Sequence, residues 1–311
     1  MSNENFTTAT EVAVFMPEIL TGKALEYLRT KFYYARFATP ASSLETVNVG
    51  DTINVPYAGE VDAHQKEQDE NYVVSKAKNM KTVPVKIDKN PAVSMVFVDV
   101  ARAFADRSLF ETYLYPALDA IADDVETNLA ILCNTFAEDS LGSDTAPLGL
   151  KSFLDARNLF RTKKVDLAGL IALISGDDEV SIIGTEDPIL NQYVARTKPS
   201  IIESGAIATL GGFDTYVSTY VPVETGVRKN FLFAPGAYVL ASRALPFPPA
   251  NSGAASAIVT DPVSGLNIRV TMSYDGAAGG TRVTTEILYG VAILREEKGM
   301  IVSSGPLPEE S

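Results

Sequence analysis

The sequence predicts an α+β protein: two intimately packed domains with two protruding appendages. Three observations carry this. Period-two alternation over residues 52–57 and 83–88 marks a strand pair. A continuous apolar stripe at Leu114, Leu118, Ile121, Val125, Leu129, Leu132 and Phe136 marks one long amphipathic helix. From residue 165 onward, short apolar runs separated by turn residues replace the helical pattern. A chain of 311 residues that is 46% hydrophobic has enough apolar surface for a sizeable core.

Residues 1–45 read as an extended arm with a short helical piece from Pro17 to Thr30. Ile19, Leu20, Leu25 and Leu28 only roughly share one face there. The arm has too few apolar residues to fold alone and is expected to lie on something else. In the strand pair, Ile53, Val55 and Tyr57 alternate with Thr52, Asn54 and Pro56, and Val83, Val85 and Ile87 with Pro84, Lys86 and Asp88. Pro56 and Pro84 suit edge positions. The charged stretch 58–71 follows the first strand. A long two-stranded hairpin without its own core is marginal in water. It must dock on its own subunit or on a neighbour, and the polar tip favours a reach to a partner.

Val93 to Val100 reads as a more buried strand, followed by the long helix, with a capping-box pattern at Ser108 and Glu111. Glu111, Asp119, Asp123 and Glu126 are expected on its solvent side, and Pro116 predicts a kink or break. Leu150 to Lys164 reads as a second helix with Phe153, Leu154 and Phe160 inward. Asp187-Pro188 suggests a short helix start. Strands are expected at Phe213–Val223, Phe231–Ala241, Leu266–Tyr274 and Thr284–Leu294, with a loop at Pro246, Pro248 and Pro249.

The chemistry is notable for what it lacks. A net charge of −13 gives no counterion-release advantage on nucleic acid, so a dedicated nucleic-acid binder is not expected. The single cysteine, Cys133, excludes an intrachain disulfide and sits among apolar residues, as a buried inert thiol would. No run reaches the roughly 20 apolar residues of a membrane span, and the polar start, Met1 to Thr10, does not read as a signal peptide. Synthesis in the cytoplasm is expected. The one histidine, His64, falls in a charged loop, which disfavours a multi-histidine metal site or a catalytic triad. Gly276 to Gly280 suits a hairpin turn better than a phosphate loop. Ser75-x-x-Lys78 lies in a strand pattern without companion motifs, and Asp177-Asp178-Glu179 reads as a solvated turn. No catalytic, cofactor-binding or metal-binding residue is singled out, and no cofactor is expected.

The order of elements resembles the major capsid protein family of tailed, double-stranded DNA bacteriophages, the Hong Kong 97-like fold. The phrases that carry the resemblance are Val85-Lys86-Ile87-Asp88-Lys89 leading through Val98-Asp99-Val100 into the long helix, and Gly211-Gly212-Phe213-Asp214-Thr215-Tyr216-Val217-Ser218 closing at Val221-Pro222. Phe233-Ala234-Pro235-Gly236-Ala237-Tyr238-Val239-Leu240-Ala241 and Leu288-Tyr289-Gly290-Val291-Ala292-Ile293-Leu294-Arg295 complete them. The resemblance implies an N-terminal arm over 1–45, an E-loop hairpin over 46–92, and a peripheral (P) domain over 93–164 with a spine helix at about 106–137. An axial (A) domain would cover 165–311, its C-terminal strands partly returning to the P-domain sheet. It implies a non-enzymatic subunit that self-assembles through pentamers and hexamers into an icosahedral shell. That shell would enclose DNA without sequence-specific binding and reside in the virion after assembly in the host cytoplasm. Separate scaffolding, portal and decoration proteins are the implied partners. With residues 1–45 ahead of the hairpin, no fused scaffold is expected. Some members crosslink an E-loop lysine; Lys66, Lys76, Lys78 and Lys81 are available but are expected to be solvated. An encapsulin-like nanocompartment shell enclosing a cargo enzyme is the alternative.

Overall fold

A computed structural model describes residues 24, 26–43, 52–57, 60–61, 63–66, 68, 77–78, 81–98, 108–136, 141–184, 206–249, 252–261 and 263–306. The helix start at Asp187-Pro188, the pair Ser75 and Lys76, and the first part of the helical piece expected from Pro17 lie outside them. In chain order the strands are β1 (Thr39–Ser43), β2 (Thr52–Tyr57), β3 (Glu60–Val61), β4 (Ala77–Lys78), β5 (Lys81–Lys86), β6 (Ala92–Val98), β7 (Leu141–Ser143), β8 (Leu170–Ile174), β9 (Ala206–Leu210), β10 (Phe213–Val217), β11 (Val223–Glu224), β12 (Val227–Phe233), β13 (Tyr238–Arg243), β14 (Ala255–Thr260), β15 (Asn267–Asp275), β16 (Gly280–Ile293) and β17 (Gly299–Ser304). Helices cover Tyr34–Phe37, Ser108–Cys133, Leu150–Thr162 and Gly176–Gly184, and Glu26 to Lys31 are also helical.

The first sheet runs β1-β13-β16-β15-β14, with β6 also paired to β16. The 14-residue β16 organises it. Gly280–Ile287 pairs with β15, Gly280–Glu286 with β6, and Leu288–Ile293 with β13. The long helix Ser108–Cys133 packs on this sheet. Leu118, Ile121, Val125 and Leu129 share one core with Ile268, Val270, Ile287 and Tyr289. Each such side chain contributes about 1.5–3 kcal/mol on burial. That collective gain explains why Pro116 does not break the helix. A proline in a helix interior costs about 3 kcal/mol through the lost hydrogen bond and the ring clash together, less than the stripe supplies.

The second sheet runs β7-β17-β12-β8-β10-β9, with β11 hairpinned onto β12. The helix Leu150–Thr162 covers it, burying Phe153, Ala156 and Phe160 against Phe213, Leu170 and Leu232. Leu154, expected inward, is half exposed, because the inward face is set by the spacing from Phe153 through Ala156 to Phe160.

Two expected strands are each divided. Phe231–Ala241 is β12 in the second sheet and β13 in the first, joined by Ala234 to Ala237. Pro235 cannot donate to a ladder and Gly236 takes φ +80°, so the chain turns from one sheet to the other there. Phe213–Val223 is β10 and β11, separated by residues 218–222, which end at Pro222. The helix Leu150–Thr162 and β7 lie with the second sheet, whereas β13 to β16 lie with the first. The two sheets share a core, since Leu173, Phe231 and Phe233 join the long-helix cluster and Phe231 stacks on Phe233 with ring centroids 4.7 Å apart.

Candidate functional site

The hairpin is built from β2 and β5 in antiparallel register, Ile53 opposite Val85 and Val55 opposite Val83. Along β5 the alternation places Val85 inward and Thr82, Pro84 and Lys86 outward, as period two requires. Val85 packs with Val239 and Ala241 of β13, and partly buried Ile53, Val55 and Ala41 border them. Ile87, just beyond β5, is also buried. This base crosses the first sheet at Gly290. A Cβ there would lie 2.1 Å from the Lys86 carbonyl oxygen, so only glycine permits the approach. Toward the tip, β3 pairs with β4, and the described residues 63–66 and 68 are exposed. His64 is among them, as is Lys66. The side chains of Lys76, Lys78 and Lys81 lie outside the described residues.

The arm is anchored differently. Ala24, Leu28, Phe32, Tyr34, Ala35 and Ala38 enter the same core as the long helix. Acidic residues of that helix hold the arm's polar groups. The Tyr27 hydroxyl donates to Asp119 at 3.0 Å, and Lys31 Nζ lies 3.2 Å from the same carboxylate. Hydrogen bonding to Asp119 and Tyr27 raises the Lys31 pKa. The backbone N–H groups of Tyr34 and Ala35 donate to Glu126 at 2.8 and 2.9 Å. Glu126 is therefore buried, not on the solvent side as expected, because the arm covers it. Burial pushes its pKa up to about 7, against the opposing pull of backbone donors from Ala35, Tyr34 and Tyr33. Tyr238 of β13 donates its hydroxyl to the Tyr34 carbonyl at 2.7 Å. Arg29 pairs with Asp261 at 2.9 Å. Burial alone would raise the Asp261 pKa, but donors from Ser264, Val263 and Arg29 outweigh it and lower it.

A second buried carboxylate lies under the second sheet. The expected solvated turn Asp177-Asp178-Glu179 is the first turn of the helix Gly176–Gly184, with Asp178 fully buried. Its Oδ2 accepts from Ser175 at 2.9 Å, Asn230 at 2.7 Å and Ser304 at 2.6 Å, and Arg228 lies 3.6 Å from Oδ1. The knot ties β8, β12 and β17 to the helix start, and hydroxyl and amide donors saturate it. Alternation could not reveal it, since the partners are separated by up to 126 residues. Among the described residues, no group of three or more His, Cys, Asp or Glu is placed to hold a metal ion. No helix among them is long and apolar enough to cross a membrane. Cys133 is buried, and burial pushes its thiol pKa well up, which removes thiolate reactivity.

Solved structures share the overall fold of this chain. The capsid of Ralstonia phage GP4 matches with a TM-score of 0.62 at 10% identity, covering 90% of this chain and 92% of that one. The capsid of cyanophage P-SCSP1u matches with a TM-score of 0.57 at 11% identity over 87% of each chain. This chain has the Hong Kong 97-like capsid fold. The SrpI encapsulin from Synechococcus elongatus shares that fold, with a TM-score of 0.53 at 13% identity over 91% of each chain. By sequence, no family model and no curated protein matches.

Proposed function

We propose that this chain is the major capsid subunit of a tailed, double-stranded DNA phage, assembling through pentamers and hexamers into an icosahedral virion shell. The observation that carries the reading is the hairpin on a capsid fold. Val85 and Ile87 bury its base, while its described tip residues are exposed. A charged strand pair extending beyond its own core gains its remaining contacts from a neighbour. In this reading residues 46–92 are the E-loop and residues 1–45 the arm. The first sheet with the long helix is the P-domain and the second sheet the A-domain. Heterologous contacts that close on rotation make rings, and many modest contacts add once the rings are complete. The −13 charge suits a wall that encloses DNA without gripping it. The subunit acts by assembly, not catalysis, with scaffolding, portal and decoration proteins as separate partners.

The encapsulin neighbour supports a second reading, a nanocompartment shell around a cargo enzyme. Electron microscopy of the purified protein tests both. Uniform hollow shells are expected, and a stable monomer that never assembles, even with co-expressed phage proteins, sinks the shell reading. Nuclease-protected DNA in particles from the native source supports the capsid; a co-purifying enzyme held by a short peptide supports the nanocompartment.

A further inference from the structure

We propose that one flank of the helix Leu150–Thr162, with the lysine just past its end, contacts the phosphate backbone of duplex DNA without reading its sequence. In a chain of net charge −13, Arg157, Arg161, Lys163 and Lys164 cluster within residues 157–164. Asp155 is the one carboxylate on this helix, and Lys151 pairs with it at 3.3 Å. Arg157 and Arg161 are exposed and lie one turn apart, outside the buried stripe of Phe153, Ala156 and Phe160. Neutral oxygens position both guanidiniums. Arg157 Nη1 donates to the Gly211 carbonyl at 3.2 Å, and Arg161 Nη2 donates to the Asn158 amide oxygen at 2.8 Å. Their charges are thus held in place without being cancelled. Gly211 and Gly212, both at positive φ, make the turn between β9 and β10. A Cβ on Gly212 would lie 2.8 Å from Arg157 Nη1, so the bare backbone leaves the guanidinium its room.

The end of the helix supplies an independent observation. The Val165 N–H donates to the Phe160 carbonyl at 2.9 Å and the Lys164 N–H to the Arg161 carbonyl at 3.1 Å, which closes the helix with a left-handed cap. Lys164 occupies that cap at φ +56°, where glycine fits without steric cost. Cations near a helix C-terminus offset its dipole, but Arg161 and Lys163 already do so. An exposed lysine in this conformation therefore points to a use for its charge. Arg157, Arg161 and Lys164 form a row with steps of about 6 and 4.5 Å along the axis. Such a row suits successive phosphates, and each guanidinium fork can pair two phosphate oxygens. The rings of this helix, Phe153 and Phe160, are buried, so none is offered to stack on a base. A few such contacts are weak and salt-labile in one subunit and add over many. That the DNA lies inside a shell rests on the shell reading; the contact itself does not.

Fluorescence anisotropy tests it, with the full-length chain kept unassembled, as monitored by light scattering, and a labelled duplex of about 30 bp in about 20 to 200 mM salt. The logarithm of the association constant is expected to fall against the logarithm of salt concentration with a slope of about −2.7. Arg161→Gln should weaken binding roughly tenfold at about 50 mM salt and make the slope shallower by about 0.9. Lys164→Gly should weaken binding by a similar factor while raising the urea unfolding midpoint, because glycine suits the cap. A lysine with only a structural role would give the second change without the first. Lys151→Gln should leave the slope unchanged. Three results overturn the patch: no binding at about 20 mM salt, a slope unchanged in both Arg161→Gln and Lys164→Gly, or equal affinity for polyglutamate, which would indicate an acidic protein partner. DNA binding by a chain that never forms shells in electron microscopy would sink the shell reading and leave the patch. Shells from a chain that does not bind DNA would do the reverse.

Discussion

The two appendages differ in how much of themselves they give to their own subunit. The arm contributes Leu28, Phe32, Tyr34 and Ala35 to the main core and bonds along the long helix at Asp119 and Glu126. The hairpin contributes Val85 and Ile87 at its base, and its described tip is exposed. The described part of the arm is therefore structural, and an intrachain account of its stability is nearly complete. The described tip residues 63–66 and 68 are exposed and add no buried surface to the core.

Perturbations of the two appendages should separate along that line. The largest effect is expected from Leu28→Ala, which empties a fully packed arm position and costs about 2–5 kcal/mol in urea unfolding. If the loss is near zero, the arm is not part of the core. Gly290→Ala comes next. Its methyl meets the Lys86 carbonyl at 2.1 Å, and the forced shift costs about 1–3 kcal/mol. Amide exchange should localise the damage to residues 81–87. The smallest effect on the subunit belongs to the tip, where His64→Ala with Gln65→Ala should change unfolding by less than about 0.5 kcal/mol. The same pair should lower the yield of closed shells seen by electron microscopy. An unchanged yield would remove the tip from the assembly contact.

Much of the fold was legible. The helical stripe from Leu118 to Phe136 and the alternation of β5 report which face is buried, because local geometry enforces both periods. Cys133 lies buried among the apolar neighbours that its sequence context indicated. What stayed hidden were polar groups whose burial depends on distant chain. Glu126 reads as a solvent-side residue until the arm, about ninety positions earlier, is laid over it. Asp178 reads as part of an acidic turn until Asn230 and Ser304 converge on it. Similarly, Phe231 to Ala241 is one apolar run in the sequence, and the turn at Pro235 and Gly236, the latter at positive φ, divides it between sheets.

By itself, then, the sequence determined the α+β class, the long helix, the strand periods, and a hairpin too polar to stand alone. These are local properties, set by side-chain spacing and turn chemistry over a few residues. Only the tertiary structure decided which strands share a sheet, which carboxylates are buried, and that the arm rather than the hairpin tip completes the core. Those outcomes depend on which distant surfaces meet, and a buried charge is tolerable only where distant donors arrive to satisfy it.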